Sequence, residues 1–139
     1  MDEFKFSISL RVRAGDLNYG NHVGHQNYFL YFQEARIAYL NQFGFSELDI
    51  DGLAMMIAEA NCRYKKELFL GDNLSVDCRV SRIKKKVFVL DYRISRGQMV
   101  CAEGFTAGLC LAYSTKKIVR LPQKFTDAVI EFEGSHLLP

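Results

Sequence analysis

The sequence predicts an α+β fold, a mostly antiparallel sheet of about five or six strands wrapped around one long central helix. Three observations carry this reading. Residues 26–43 are helix-length, aromatic-rich and apolar over an arc too wide for a surface helix. Runs of alternating apolar and polar residues occupy most of the remaining chain. The links between those runs are short, and short links force neighbouring strands to be antiparallel.

Composition sets the bounds. A chain of 139 residues holds one compact domain with a real core, read here as a single unit over 1–139. Its 49% hydrophobic content and 2 prolines exclude a disordered chain, because enough apolar surface is buried to offset the ordering entropy. A formal charge of +2 gives no argument for nucleic acid. The 4 cysteines lie in apolar or alternating runs without C-x-x-C spacing, so buried free thiols in a reducing compartment are expected. The start, MDEFKFSISL, is acidic and lacks an apolar core, and no apolar run approaches a membrane span. The expectation is a soluble cytoplasmic protein with no membrane partner.

In chain order, Phe4, Phe6, Ile8, Leu10 and Val12 alternate with polar residues, which makes 4–12 a strand with one wet face. Gly15, Gly20 and Gly24 break any period, so 14–25 is a loop. The helix is expected from Gln26 to Phe43, capped near Asn27 and stopped by Gly44. Its apolar side holds Tyr28, Phe29, Phe32, Ala35, Tyr39, Leu40 and Phe43, leaving Gln33, Glu34, Arg36, Asn41 and Gln42 for the rest. Residues 53–64 carry Ala54, Ala58, Ala60 and Cys62 in one register, a row of small side chains on which a helix would sit closely. Gly71-Asp72 turns into the run from Leu74 to Ser81, and Phe88 to Ile94 follows. Arg96-Gly97-Gln98 turns again into Met99–Tyr113, which splits into a large-residue and a small-residue register. Ile118–Leu121 is the last strand, Pro122 ends it, and the tail is a short helix or loose.

Chemistry concentrates between Arg13 and Leu40. A polar loop carrying His22 and His25 runs straight into the buried helix, whose first N–H groups have no intrahelical partner. Such a junction suits an oxyanion or a polarised carbonyl. Asp16 and Asn18, two residues apart, point the same way in extended backbone. The plainer readings are that Asp16 bonds N–H groups of its own loop and that Asn18 and Asn21 merely form turns. His22 and His25 at i, i+3 invite a metal with Asp16, but a clear third ligand is lacking and no metal is assigned.

The ordered set Asp16-Leu17-Asn18-Tyr19-Gly20-Asn21-His22-Val23, then Tyr28 and Tyr31-Phe32-Gln33-Glu34-Ala35-Arg36, then Glu59-Ala60-Asn61-Cys62-Arg63-Tyr64 and Gly71-Asp72 resembles the hot-dog-fold acyl-CoA thioesterases of the 4-hydroxybenzoyl-CoA thioesterase type. The resemblance covers roughly residues 5–122 and implies a hot-dog fold. It also implies an acyl-CoA substrate, no separate cofactor, and a homodimer joined sheet edge to sheet edge, or a homotetramer, with sites at the interface.

In that family the second Asp of a D-x-D loop is the catalytic carboxylate, and this chain has Asn18 there. An amide cannot be a base or nucleophile at neutral pH. The helix-start position whose N–H polarises the thioester carbonyl corresponds to His25, with Gly24 before it. Candidates to replace the carboxylate are His25 acting as base on a water held by Asn18, then Asp16, then Glu34. Glu34 lies nine residues past His25, roughly 13 Å along the axis, and its plainer reading is a pair with Arg36 or a neighbouring chain. Histidine's ordinary titration range suits the first option. Lys84, Lys85 and Lys86 are read either as edge-protecting charges or as a landing site for coenzyme A phosphates.

Two functions of different class follow. One is an acyl-CoA thioesterase releasing free acid and coenzyme A. The other is a non-catalytic acyl-CoA-binding hot-dog protein that lost its carboxylate at Asn18; a hydratase is a weaker third reading.

Overall fold

A computed structural model describes residues 4–137. The elements in chain order are β1 (Ser7–Arg11), α1 (His25–Asn41), β2 (Ala54–Tyr64), β3 (Asn73–Ile83), β4 (Phe88–Arg96), β5 (Met99–Leu111), β6 (Ile118–Val119) and α2 (Gln123–Glu133). The six strands form one antiparallel sheet in the order β1-β3-β4-β5-β2, with β6 beside β5. The alternation read in the sequence becomes the inner and outer faces of this sheet. In β4, for example, Phe88, Leu90, Tyr92 and Ile94 are buried while the residues between them are half-exposed. Register shifts between Ile57 and Glu59, Val80 and Arg82, and Ile94 and Ser95 add local twist.

The first strand is shorter than the expected 4–12, but extended pairing continues on both sides of it. Phe6 O accepts from Cys78 N, and Val12 N donates to Asp72 O. Gly24, not Asn27 or a polar neighbour, is the cap of α1. Asn27 lies in the first turn and spends its side chain elsewhere, its Nδ2 donating to Asp16 O at 2.8 Å. Gly44 ends the helical segment as expected, at φ +84°, a conformation glycine adopts without a Cβ clash.

Helix α1 runs 17 residues and buries Tyr28, Tyr31, Phe32, Ala35, Tyr39 and Leu40. Phe32 stacks on Tyr92 of β4 with centroids 4.4 Å apart. The tail is not loose. Helix α2 runs 11 residues and buries Phe125 and Val129, with Phe125 edge-on to Phe45 and Phe88 and Phe132 against Phe43 and Tyr39. Among the described residues there are therefore two α-helices, and α1 is the longer.

The row of small residues under α1 is also not where it was expected. Ala58 and Ala60 of β2 are exposed, and Ala58 falls at the register shift. The close approach is made at β5, where a Cβ on Gly104 would overlap the Asn61 carbonyl oxygen and come within 2.8 Å of Phe32 Cε2. Strand β2 ends the sheet, with a run of exposed residues from Ala58 to Asn61 along it. Cys78, Cys101 and Cys110 are buried and Cys62 is half-buried, all as free thiols. Among the described residues no helix is long and apolar enough to cross a membrane.

Candidate active site

The loop before α1 is held by backbone bonds. Leu17 and Val23 bridge each other, Asn18 N donates to His22 O at 2.8 Å, and Asn21 sits at φ +64°, which asparagine tolerates. Asn18 Oδ1 accepts from Gly20 N at 2.8 Å. The turn reading of Asn18 and Asn21 is therefore correct as local structure. The other end of the amide, Nδ2, has no partner among the described residues. Val23 N donates to Leu68 O and Gly24 N to Asp16 O, so the loop is fastened on both sides as it enters the helix.

That fastening decides which N–H groups remain. Gly24, expected to share the donor role with His25, spends its N–H on Asp16 O. Among the described residues His25 N and Gln26 N have no hydrogen-bond acceptor. These two, at the positive end of α1, are the unpartnered donors.

His25 lines a cleft of about 240 Å³ together with Asn18, His22, Val23, Tyr28 and the segment Tyr64–Glu67, and Gln26 follows it in the helix. The wall opposite the loop is aromatic. Tyr28 and Tyr64 meet edge to face at 4.8 Å, and Tyr64 Oη donates to His25 O at 3.1 Å. Burial pushes the Tyr28 hydroxyl up to about 12, so it stays a protonated donor, directed to Lys66 O at 3.3 Å. Both ring nitrogens of His22 face acceptors: Nδ1 lies 3.3 Å from Val23 O and Nε2 lies 3.5 Å from Glu67 Oε2.

Of the residues singled out in the sequence, Asn18 and His25 meet in this cleft, and Gly24 places the helix start beside it. Asp16 and Glu34 are not among its lining residues. Asp16 Oδ2 accepts from Tyr31 Oη at 2.7 Å and from Arg13 N at 3.1 Å, so the carboxylate holds its own loop. Burial and this bond to Asp16 together push the Tyr31 hydroxyl up. Glu34 accepts from Arg13 Nη2 at 3.2 Å, not from Arg36, which pairs with Glu47 instead. Lys84, Lys85 and Lys86 occupy the β3–β4 turn. That turn adjoins Phe88, opposite Gly108, whereas Tyr64 of the cleft is opposite Ala102. Six residues of β5 separate those points, about 20 Å. Lys84 and Lys85 line a different hollow, with Arg120 and the start of α2.

The reading of the sequence missed Lys65, Lys66 and Glu67. The carboxylate in the cleft is Glu67. The available signal was the charged run Lys65 to Glu67 directly after a strand, a place where functional side chains gather. Among the described residues no group of three His, Cys, Asp or Glu side chains is arranged to hold a metal ion.

Comparison with known proteins fits this fold. Residues 12–129 match the thioesterase-like superfamily. A protein of Aquifex aeolicus (strain VF5), provisionally called an esterase, is 31% identical over 126 residues, covering 89% of this chain and 97% of its own. Acyl-CoA thioesterase YbgC of Haemophilus influenzae is 26% identical over 126 residues, covering 88% of this chain and 93% of its own. Among solved structures, DHNA-CoA thioesterase from Staphylococcus aureus superposes with a TM-score of 0.79 at 25% identity, covering 88% of this chain and 85% of that one. With a family match that spans most of its length, the chain belongs to the thioesterase-like superfamily with its hot-dog fold.

Proposed function

We propose that this chain is an acyl-CoA thioesterase of the 4-hydroxybenzoyl-CoA thioesterase type, hydrolysing an acyl-CoA ester to a free acid and coenzyme A. The observation that carries the reading is the pair of unpartnered N–H groups, His25 N and Gln26 N, at the head of α1 beside a cleft. A thioester carbonyl placed at this helix start would meet donors without a partner as negative charge develops on its oxygen in the tetrahedral intermediate. The names of the Haemophilus influenzae and Staphylococcus aureus relatives support a CoA-ester substrate.

Water is directed by the side chains that share the cleft. His25 acts as base and Asn18 Nδ2 orients the water or the ester, while Asp16 positions the loop through Tyr31. A specific observation favours a second base: Glu67 is the carboxylate in the cleft and lies against His22. Lys65 and Lys66 flank the same cleft and suit coenzyme A phosphates. Lys84, Lys85 and Lys86 reach it only from another copy of the chain. We place the single hot-dog domain in a homodimer or homotetramer joined through the exposed edge of β2, with the sheet curled around α1. The free thiols favour the reducing cytoplasm.

The test is free-thiol release from a panel of acyl-CoA esters. Turnover above background on at least one ester is expected from the native chain, with Asn18→Ala and Glu67→Gln lowering it. If the native chain is inert and Asn18→Asp alone creates turnover, the protein is the binding module and the assignment of enzyme fails.

A further inference from the structure

Tyr64 is the last residue of β2 and is 45% exposed, yet its hydroxyl is committed to the helix start, donating to His25 O at 3.1 Å. That bond is surplus to what the carbonyl needs. In an α-helix that begins at His25, the first carbonyl accepts from the N–H four positions on, so His25 O is satisfied without Tyr64. An exposed bond of this kind adds little to folding, because water replaces it when it is lost. Its consequence lies in the peptide that receives it.

The amide that carries His25 O also carries Gln26 N–H, one of the two donors at the head of α1 with no acceptor among the described residues. A hydrogen bond accepted by an amide oxygen draws electron density from the nitrogen and makes its N–H a stronger donor. The chain of polarisation therefore runs from Tyr64 Oη, through the His25–Gln26 peptide, to whatever accepts from Gln26 N.

The ring and backbone of Tyr64 are held where this bond requires them. The ring meets Tyr28 edge to face at 4.8 Å and stands edge-on to the His25 imidazole at 6.2 Å. Tyr64 pairs with Ala102 of β5, and the next two residues, Lys65 and Lys66, both donate their N–H groups to Cys101 O. Burial first, then the neighbouring Cys62, holds the Tyr64 hydroxyl above its ordinary range, so it stays protonated and donating.

We propose that Tyr64 is a positioning residue for the reaction, its hydroxyl polarising the His25–Gln26 peptide so that Gln26 N–H is a stronger donor to the developing oxyanion. The assignment rests on the thioesterase reading for the oxygen that this donor meets. One oxyanion donor is worth about 10²- to 10³-fold in rate and cooperative strengthening about 10–30% per bond, so the hydroxyl should contribute roughly 2- to 8-fold.

The test begins with Tyr64→Phe, which removes the hydroxyl and keeps the ring contacts. In acyl-CoA hydrolysis kcat should fall by roughly 2- to 8-fold with KM little changed, because the ground-state carbonyl loses less than the oxyanion does. Gln26→Pro removes the N–H itself, at a first-turn position where the helix makes no use of it. In that background Tyr64→Phe should change kcat by less than about twofold, the two changes acting through one donor. A readout free of turnover is the amide-nitrogen resonance of Gln26 in the isotope-labelled chain, which a bond to the preceding carbonyl moves downfield. In Tyr64→Phe it should move upfield, and further than that of Asn27. An upfield shift at Gln26 in a native chain that hydrolyses no ester keeps the polarised donor and removes the thioesterase reading. A Gln26 resonance that stays in place, hydrolysis that Tyr64→Phe leaves unchanged, or a loss that persists undiminished in Gln26→Pro overturns the assignment.

Discussion

The first turn of α1 and the three turns that follow it treat polar groups in opposite ways. At the first turn, His25 and Gln26 are exposed and their N–H groups are open beside a cleft lined by loop residues. Further along, polar side chains are buried but nearly all are paired. Tyr31 donates to Asp16, Arg36 to Glu47 and Tyr92, and Tyr39 to Glu133 at 2.6 Å. The contrast teaches that burial and function part company along one helix. A satisfied polar network stabilises, while donors left unmatched are available to a substrate.

The largest expected effect lies in the buried turns. Phe32 is fully buried, stacked on Tyr92 and seated over Gly104. Phe32→Ala should cost about 3–5 kcal/mol in urea unfolding, because both transfer energy and a cavity are at stake. A loss below about 1 kcal/mol would mean that the middle of α1 is not the structural half.

At the first turn the same kind of change should spare stability and remove turnover. His25 occupies the first helical position, where proline is tolerated, and Gly24 already has the extended ψ of 143° that a following proline requires. His25→Ala removes the imidazole and keeps the N–H, whereas His25→Pro removes both. The additional loss in kcat from Ala to Pro should be roughly 10²- to 10³-fold, the worth of one oxyanion donor, with the thermal midpoints of the two variants alike. Equal rates for the two variants would strip the helix start of its proposed role.

The smallest effect sharpens the comparison by pH. Burial holds the Cys62 and Cys110 thiols up at about 11 against the ordinary 9.0, and the Tyr28 hydroxyl at about 12 against 10.0. Above pH 9 the unfolded chain therefore binds fewer protons than the folded one, so stability is full below that point and falls as pH rises through 9 to 12. Unfolding midpoints measured across pH 8–11 should decline, and Cys62→Ser should flatten part of the slope. A midpoint that rises with pH would contradict the buried environment of these groups.

Much of the fold was legible in the chain. Period-two alternation marked β3, β4 and β5, and the turns at Gly71 and Gly97 were read from turn chemistry. What failed did so for a physical reason. Arg36 was placed on the polar side of α1, yet it is buried while Leu30 and Ile37 are 51% and 41% exposed. Hydropathy assigns a guanidinium to solvent because it cannot see Glu47 eleven residues away or Tyr92 across the sheet. The small-residue row was assigned to β2 because alanines lay in register there, but β2 is an end strand and the helix rests closely on Gly104 of β5. The site was half legible. Asn18, Gly24 and His25 adjoin one another in sequence, whereas Lys65, Lys66 and Glu67 reach the cleft only through long-range pairing.

By itself the sequence determined the local facts: which stretches are helix or strand, where glycine stops α1, and that a polar loop feeds a buried helix. These depend on side-chain period and backbone sterics, which act over a few residues. The tertiary structure alone decided which N–H groups remain open, since that turns on Asp16 O accepting from Gly24 N. It alone decided which carboxylate shares the cleft, and that Arg36 is buried and bonded to Tyr92 across the sheet. Apart from that short-range bond between Gly24 and Asp16, these are set by sheet register and chain crossing, where residues far apart in the chain, such as Arg36 and Tyr92, meet at hydrogen-bond distance, and no local pattern encodes that geometry.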